Sequence, residues 1–188
     1  PPPSPPSAPP LSEQLGCTFD VDECFWTDTA PAGYPWTRTS GRTPSDYTGP
    51  SSGHTGSGSY LYTEASGRYN KLHQLESPRF SLQQDATLSF FYHMYGSDMG
   101  TLSIEAHVDG SGWSTLWSRS GNQDSAWLSA WLDASVVLPA STTQVRFNGK
   151  TGWGYESDMA LDDVSFSQLA PPSPPPSAPP PPPPPPPP

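Results

Sequence analysis

The chain has 188 residues, including 28 prolines, and a formal net charge of −10 at pH 7. This acidic balance argues against a nucleic-acid or anionic-membrane partner, because both require a basic face on the protein. It is compatible with a divalent cation, a neutral glycan or a basic protein surface, and also with acidity that only keeps a secreted protein soluble.

The prolines are concentrated at the two ends of the chain. Seven lie in 1–10 and fifteen in 171–188, and neither segment contains a charged residue. Proline has no amide hydrogen, so segments made mostly of proline cannot form the hydrogen bonds of a helix or a sheet. We expect them to be disordered or in the polyproline II form and to act as stiff linkers. A docking site for a proline-reading domain is the alternative. Residues 11–170 are then one folded domain.

The first feature of that domain is its pair of cysteines, Cys17 and Cys24. Their spacing fits neither a zinc site nor a redox pair, so a small disulfide-closed loop is predicted, which implies an oxidising compartment. Two reduced, buried thiols are the alternative. Because the chain begins and ends within proline-rich sequence, we expect it to be an excerpt, and its lack of a signal peptide is then uninformative.

The remaining pattern predicts β-strands. Residues 87–95 are apolar enough for a central strand covered on both faces. Apolar and polar residues alternate cleanly over Thr101–Val108, which predicts a half-buried strand, and the next strand starts at Trp113. Further strands are predicted at 143–148 and 158–166. Since helical periodicity is nearly absent, the pattern predicts an all-β antiparallel sandwich or jelly roll.

An ordered series of motifs runs along the domain. They include Cys17-Thr18-Phe19-Asp20, Cys24-Phe25-Trp26, Trp36-Thr37-Arg38, Gly53-His54-Thr55, Gly58-Ser59-Tyr60-Leu61-Tyr62-Thr63-Glu64, Leu88-Ser89-Phe90-Phe91-Tyr92 and Asp158-Met159-Ala160-Leu161-Asp162-Asp163-Val164.

Over residues 16–167, this series resembles the MAM domain, the adhesion module of meprins, neuropilins and receptor tyrosine phosphatases. The resemblance implies a concanavalin A-like jelly-roll sandwich in an extracellular location. It also implies a non-catalytic, adhesive role toward a protein or matrix partner, with homophilic binding included. The two proline-rich ends resemble the hydroxyproline-rich glycoproteins of green algae and plants, in which such stretches are hydroxylated and O-glycosylated spacers.

The sequence departs from the MAM pattern in two places. The family usually has a second disulfide, and both of its positions, at Thr87 and near Pro171, lack cysteine here. A bridge that closes so long a loop is typically worth roughly 3–5 kcal/mol, which the apolar core must replace. In addition, Gly53 stands where the family usually has an aspartate.

The second departure bears on metal binding, because MAM-like jelly rolls often carry a structural calcium or another cation where the first and last strands meet. Strict alternation on the last strand predicts that Asp162 points inward, and a buried carboxylate requires a cation or several donors. Asp20, Glu64 and main-chain carbonyls near Gly53 are expected to complete a calcium shell. Alternatively, Asp162 bonds backbone amides or arginines. The neighbours that share its predicted face are Ala160, Val164 and Phe166.

Two aromatic residues are the best candidates for partner contact, namely Trp153 and Tyr155 in the glycine-rich loop 149–156. Core packing or loop anchoring is the alternative for them, and the resemblance assigns Trp36, Trp117 and Trp127 to core packing. The runner-up function is a carbohydrate-binding jelly roll that stacks sugars on loop tryptophans. A third alternative is an accessory domain of an enzyme that lies outside this sequence.

Catalytic patterns are lacking in the sequence. There is no Gly-x-Ser-x-Gly elbow and no metalloprotease histidine spacing. Glu156 and Asp158 could be considered as the carboxylate pair of a glycosidase. Such a pair needs one carboxyl with a raised pKa, and nothing in the sequence around these two residues predicts that difference. We therefore predict a non-catalytic extracellular interaction module of a matrix or cell-wall glycoprotein.

Overall fold

The computed structural model describes residues 9–128 and 131–168. The expected conformation of 171–188, and of most of 1–10, lies outside the described residues. Within them a short helix, α1 (Leu11–Leu15), precedes ten strands. The strands are β1 (Thr27–Asp28), β2 (Thr37–Ser40), β3 (Ser59–Tyr62), β4 (Leu72–Glu76), β5 (Ala86–His93), β6 (Thr101–Val108), β7 (Gly112–Ser120), β8 (Leu132–Leu138), β9 (Thr142–Lys150) and β10 (Ala160–Gln168). In this part of the chain no helix is long and apolar enough to cross a membrane.

The strands form two five-stranded antiparallel sheets. Sheet A has the order β1-β4-β9-β6-β7, and sheet B has the order β2-β3-β10-β5-β8. The last strand, β10, lies in the middle of sheet B between β3 and β5. The predicted all-β, antiparallel jelly-roll sandwich is therefore confirmed.

Alternation places the core between the sheets. Leu102, Ile104 and Ala106 of β6 are buried, as the sequence pattern predicts. Across the sandwich, the rings of Phe90 on β5 and Phe147 on β9 meet edge to face with centroids 5.2 Å apart. Each such buried aromatic stabilises the fold by about 1.5–3 kcal/mol through the removal of apolar surface from water.

The last strand corrects one prediction. A bulge follows Asp162, and Asp163 adopts a φ of 45° there, so strict alternation is broken. Val164 and Phe166 face the core, whereas Asp162 lies opposite Phe91 on the outer face of sheet B. The prediction that Asp162 shares a face with Val164 and Phe166 is wrong, because the extra residue of a bulge reverses the facing of the residues beyond it.

The outer face of sheet B is covered by loops. Tyr60 and Tyr62 of β3 pack there with Ala160 in a second small cluster, against which Trp131 packs. The Trp131 indole donates to the carbonyl of Ser52 at 3.1 Å, which ties the segment around Ser52 to this face. Asp162 therefore lies beneath a loop rather than between the sheets.

Candidate functional site

The predicted disulfide is confirmed, since Cys17 and Cys24 are bonded. The backbone of Cys17 also exchanges two hydrogen bonds with Val164 just after the bulge. The loop closed by the disulfide carries Asp20, whose Oδ1 accepts the amide of Ser59 at 3.0 Å. This arrangement brings Asp20 to the rim of sheet B, where β10 and the covering loop meet.

Asp162 is buried at 3% exposure. Its Oδ2 accepts the His54 amide at 2.7 Å, and its Oδ1 accepts the Asp163 amide at 2.8 Å. Burial raises the pKa of Asp162 to about 6, and the charges of Asp163 and Asp20 act in the same direction. Backbone amides therefore satisfy this carboxylate, as in the alternative drawn from the sequence, and Asp20 lies close enough to repel it.

Gly53 lies directly against Asp162. A Cβ on Gly53 would lie 2.3 Å from the Ser57 carbonyl oxygen and 3.2 Å from Asp162 Oδ2. Because these distances leave no room for a side chain, the aspartate usual in the family could fit only if the Ser57 carbonyl moved.

Glu64, the remaining predicted ligand, lies elsewhere. Its carboxylate accepts the Tyr62 hydroxyl at 3.3 Å and the Ser66 amide at 2.8 Å. The structure thus brings Asp20, Asp162 and Gly53 together and leaves Glu64 apart. Among the described residues, no group of three or more His, Cys, Asp and Glu side chains is arranged to hold a metal ion.

The environments of Glu156 and Asp158 differ, contrary to the sequence-based prediction. Burial raises the pKa of Asp158 to about 7, whereas hydrogen bonds from Ser97 hold the pKa of Glu156 below its usual range. Asp158 is fully buried, and its Oδ1 accepts the Ala65 amide at 2.9 Å. The two carboxyls are therefore split between interior and surface and do not flank a common cleft.

The loop that carries Trp153 is held in place by hydrogen bonds. The Ser157 hydroxyl accepts the amides of Gly152 at 2.8 Å and Gly100 at 3.0 Å. The Asn70 amide donates to the Gly152 carbonyl at 2.8 Å. On the same loop, the Glu156 carboxylate accepts the amide and hydroxyl of Ser97.

Two glycines allow this loop to pack closely on the segment that contains Asp98. A Cβ on Gly152 would lie 1.7 Å from the Asp98 carbonyl oxygen, and one on Gly154 would lie 1.8 Å from the Asp98 carboxylate. Only glycine fits at position 152, where the close atom belongs to the backbone, whereas a side chain at position 154 would require the Asp98 carboxylate to move. Between these two glycines, Trp153 projects outward at 78% exposure, and Tyr155 follows at 44%. Both candidate contact residues are thus exposed, and neither packs in the core.

A cleft of about 450 Å³ lies beside Trp153. Its lining includes Asn70, Asp98, Thr101 and Lys150. The cleft therefore combines an aromatic side chain with an amide, a carboxylate, a hydroxyl and an ammonium group. This mixture suits recognition of a polar or amphipathic ligand.

Two further aromatic residues extend this surface. Tyr47 is 57% exposed and packs on Trp127 with ring centroids 5.0 Å apart. The charge of Glu156 raises the pKa of Tyr155, and Tyr47 is near enough to contribute to that rise. We call Tyr47, Trp127, Trp153 and Tyr155 the aromatic patch.

Sequence reasoning missed half of the aromatic patch. Tyr47 has a φ of 61°, unusual for a bulky residue, and its place beside Tyr155 depends on tertiary contacts. The family resemblance assigns Trp127 to core packing, but it is only half-buried, with the Arg42 guanidinium 4.5 Å from its ring centroid. The one local signal for Tyr47 is an aromatic residue within a segment rich in Gly, Ser and Asp.

Comparison with known proteins gives a consistent result. The family model described as "MAM domain, meprin/A5/mu" matches residues 17–170. "MAM domain-containing protein 2" of Homo sapiens is 39% identical over 154 residues, which is 80% of this chain and 22% of that protein. "Neuropilin-1" of Rattus norvegicus is 31% identical over 79% of this chain and 16% of its own length. The chain thus spans less than a quarter of either relative.

Among solved structures, a cleaved adhesin domain of Lys-gingipain from Porphyromonas gingivalis superposes with a TM-score of 0.62 at 19% identity. The match covers 83% of this chain and 98% of that domain. At this level of identity the likeness concerns the fold alone.

Proposed function

Because this chain belongs to the MAM domain family, we propose that it is a non-catalytic extracellular adhesion module that binds a protein partner through the aromatic patch. Homologous regions occur in MAM domain-containing proteins and neuropilins. The disulfide supports an oxidising, extracellular compartment. In this proposal, the proline-rich segments at both ends connect the module to the rest of a matrix or cell-wall glycoprotein.

The observation that carries the proposal is the display of Trp153 by a rigid loop. A tryptophan that leaves water on binding can bury about 150–250 Å², worth about 4–6 kcal/mol at about 25 cal/mol per Å². The hydrogen bonds of Ser157 and the close approach of Gly152 to Asp98 fix the loop before any partner arrives. Binding therefore loses little conformational entropy at this site.

Adhesion of coated beads tests this proposal. Beads that carry the full chain are mixed with each other and with beads coated with extracellular matrix proteins. We expect Trp153→Ala to reduce adhesion at least tenfold, and Val137→Ala to leave it unchanged. Val137 is a fair control because it is also exposed, at 61%, but belongs to β8. Equal adhesion by wild type and Trp153→Ala would refute the role of the aromatic patch.

A carbohydrate ligand is the second candidate, and the polar lining of the cleft beside Trp153 supports it. Asn70, Asp98 and Lys150 could bond sugar hydroxyls while the indole ring stacks on a sugar face. Binding on a glycan array that disappears in Trp153→Ala, without any protein-dependent adhesion, would favour this function over the first.

We also propose a structural calcium ion at the junction of Asp20 and Asp162. Its oxygen ligands would be the two carboxylates and main-chain carbonyls within 53–57, a donor type that suits calcium. The repulsion between Asp20 and the buried Asp162 supports a cation there, because the positive charge would relieve it. Glu64 is not part of this proposed set.

A further inference from the structure

We propose that the aromatic patch binds the proline-rich segment 171–188 of a second copy of this chain. This inference rests on the proposed function, since it uses the same contact surface, and it adds the chemistry of the partner. The resulting contact is heterologous: the loop end of one molecule holds the C-terminal segment of the next.

The aromatic patch has the properties that proline-rich ligands require. Such segments dock in grooves lined by aromatic rings, where each proline ring packs on an aromatic face. Trp153 and Tyr155 project from one loop, and the exposed ring of Tyr47 packs on Trp127 with centroids 5.0 Å apart. The side chains of the aromatic patch also carry an indole N–H and phenolic hydroxyls. These groups can donate hydrogen bonds to the peptide carbonyls of a proline segment, which has almost no donors of its own.

Segment 171–188 has the matching composition. Fifteen of its 18 residues are prolines, and none is charged. An uncharged ligand approaches the strongly acidic domain without repulsion. Polyproline sequences also favour one extended conformation in the free state, so their docking loses less entropy than that of an ordinary peptide.

The topology indicates that the ligand comes from a second molecule. The patch lies at the end of the sandwich where β10 begins, because Glu156 and Ser157 precede Ala160 by only a few residues. The nine residues of β10 carry the chain to the opposite end, about 26 Å away at about 3.3 Å per residue. The described chain therefore ends, at Gln168, at the end of the sandwich opposite the aromatic patch, which favours the patch of a second molecule over that of the same domain as the docking site.

The same segment can reach a neighbouring molecule easily. Its 18 residues span roughly 56 Å at about 3.1 Å per residue when extended. A contact between the loop end of one copy and the tail of another uses two different surfaces and does not close on itself, so it generates open chains as the concentration rises.

Titration with a synthetic peptide of sequence 171–188 tests this inference directly. The peptide is added to dilute full-length chain while intrinsic tryptophan fluorescence is recorded, and a Gly-Ser peptide of equal length is the control. We expect saturable binding to the wild type and to Val137→Ala, at least tenfold weaker binding to Trp153→Ala and Tyr47→Ala, and none of the Gly-Ser peptide. A fluorescence response that does not saturate, or equal affinity for wild type and Trp153→Ala, overturns the inference.

Competition between the free peptide and bead adhesion tests whether the proline-rich segment is the partner in Trp153-dependent adhesion. Excess free peptide should dissolve the Trp153-dependent bead aggregates, and wild-type chain should show a mass that rises with concentration in analytical ultracentrifugation. If adhesion depends on Trp153 but resists the peptide, the partner is another protein, so this inference fails and the proposed function stands. If only glycans bind the patch, both fail.

Discussion

Replacement of Asp158 by asparagine should make the domain more stable at alkaline pH. The Asp158 carboxyl is fully buried, and hydrogen bonds from the Ala65 amide and from the Thr43 and Ser45 side chains offset only part of the cost of that burial. Burial is the main cause that raises its pKa from 3.8 to about 7, and the charge of Glu64 adds to the rise. Ionisation of this group in the folded state is therefore costly, because the charge loses its hydration without gaining a cation.

The sign of the effect follows from proton linkage. Between pH 4 and pH 7 the unfolded chain has released the Asp158 proton while the folded chain keeps it, so stability falls as pH rises through this window and levels off above it. A rise of about three pKa units at about 1.36 kcal/mol each gives an upper bound of about 4 kcal/mol for the loss. Asparagine cannot ionise, but its amide group needs an acceptor where Oδ2 now lies, so we expect a gain of about 2 kcal/mol at pH 8.

Urea unfolding followed by tryptophan fluorescence at pH 5 and pH 8 measures this effect. The advantage of Asp158→Asn should be present at pH 8 and should vanish at pH 5. Asp46→Asn is the matched control, because Asp46 is an exposed carboxylate that pairs with Arg42 at the surface; it should change stability by less than about 0.5 kcal/mol at either pH. A wild type more stable than Asp158→Asn at pH 8, or a difference independent of pH, would show that ionised Asp158 does not destabilise the fold.

Three further predictions concern the rim and the loop. Cys17→Ser combined with Cys24→Ser should cost about 2 kcal/mol in urea unfolding, since the bridge closes a short loop; an unchanged midpoint would contradict this. Calcium should raise the thermal midpoint by several degrees in the wild type but not in Asp20→Asn, and a chelator should reverse the rise; equal shifts in both proteins would remove Asp20 from the ion site. Gly152→Ala should destabilise the domain by about 1–3 kcal/mol, because its Cβ would overlap the Asp98 carbonyl, and an unperturbed melting curve would count against the tight loop.

Side-chain alternation was sufficient to predict most of the framework. Thr101–Val108 is a strand with Leu102, Ile104 and Ala106 buried, as its pattern requires. Exposure of Trp153 could also be predicted, because a bulky residue flanked by Gly152 and Gly154 has few neighbours of its own to pack against.

The remaining features depend on contacts distant in sequence. A bulge at Asp163, a residue with positive φ that is not glycine, reversed the facing of Val164 and Phe166 relative to Asp162, and no local pattern signals it. The separation of Glu64 from Asp20 depends on how the loops cross the rim of sheet B. The burial of Asp158, which separates its pKa from that of Glu156, depends in part on the Ala65 segment far away in the chain.

We propose that partner contact occurs at the loop end of the sandwich. The seven tryptophans report on its different parts, because each indole N–H gives a separate NMR signal. On titration of the labelled full chain with the proline-rich peptide, or with a protein captured by Trp153-dependent adhesion, we expect the Trp153 signal to shift most and the Trp127 signal to shift next. Signals of the core residues Trp26 and Trp36 should stay in place. A dominant shift at Trp113, on β7 of sheet A, would instead place the binding surface on the other sheet and rule out contact at the loop end.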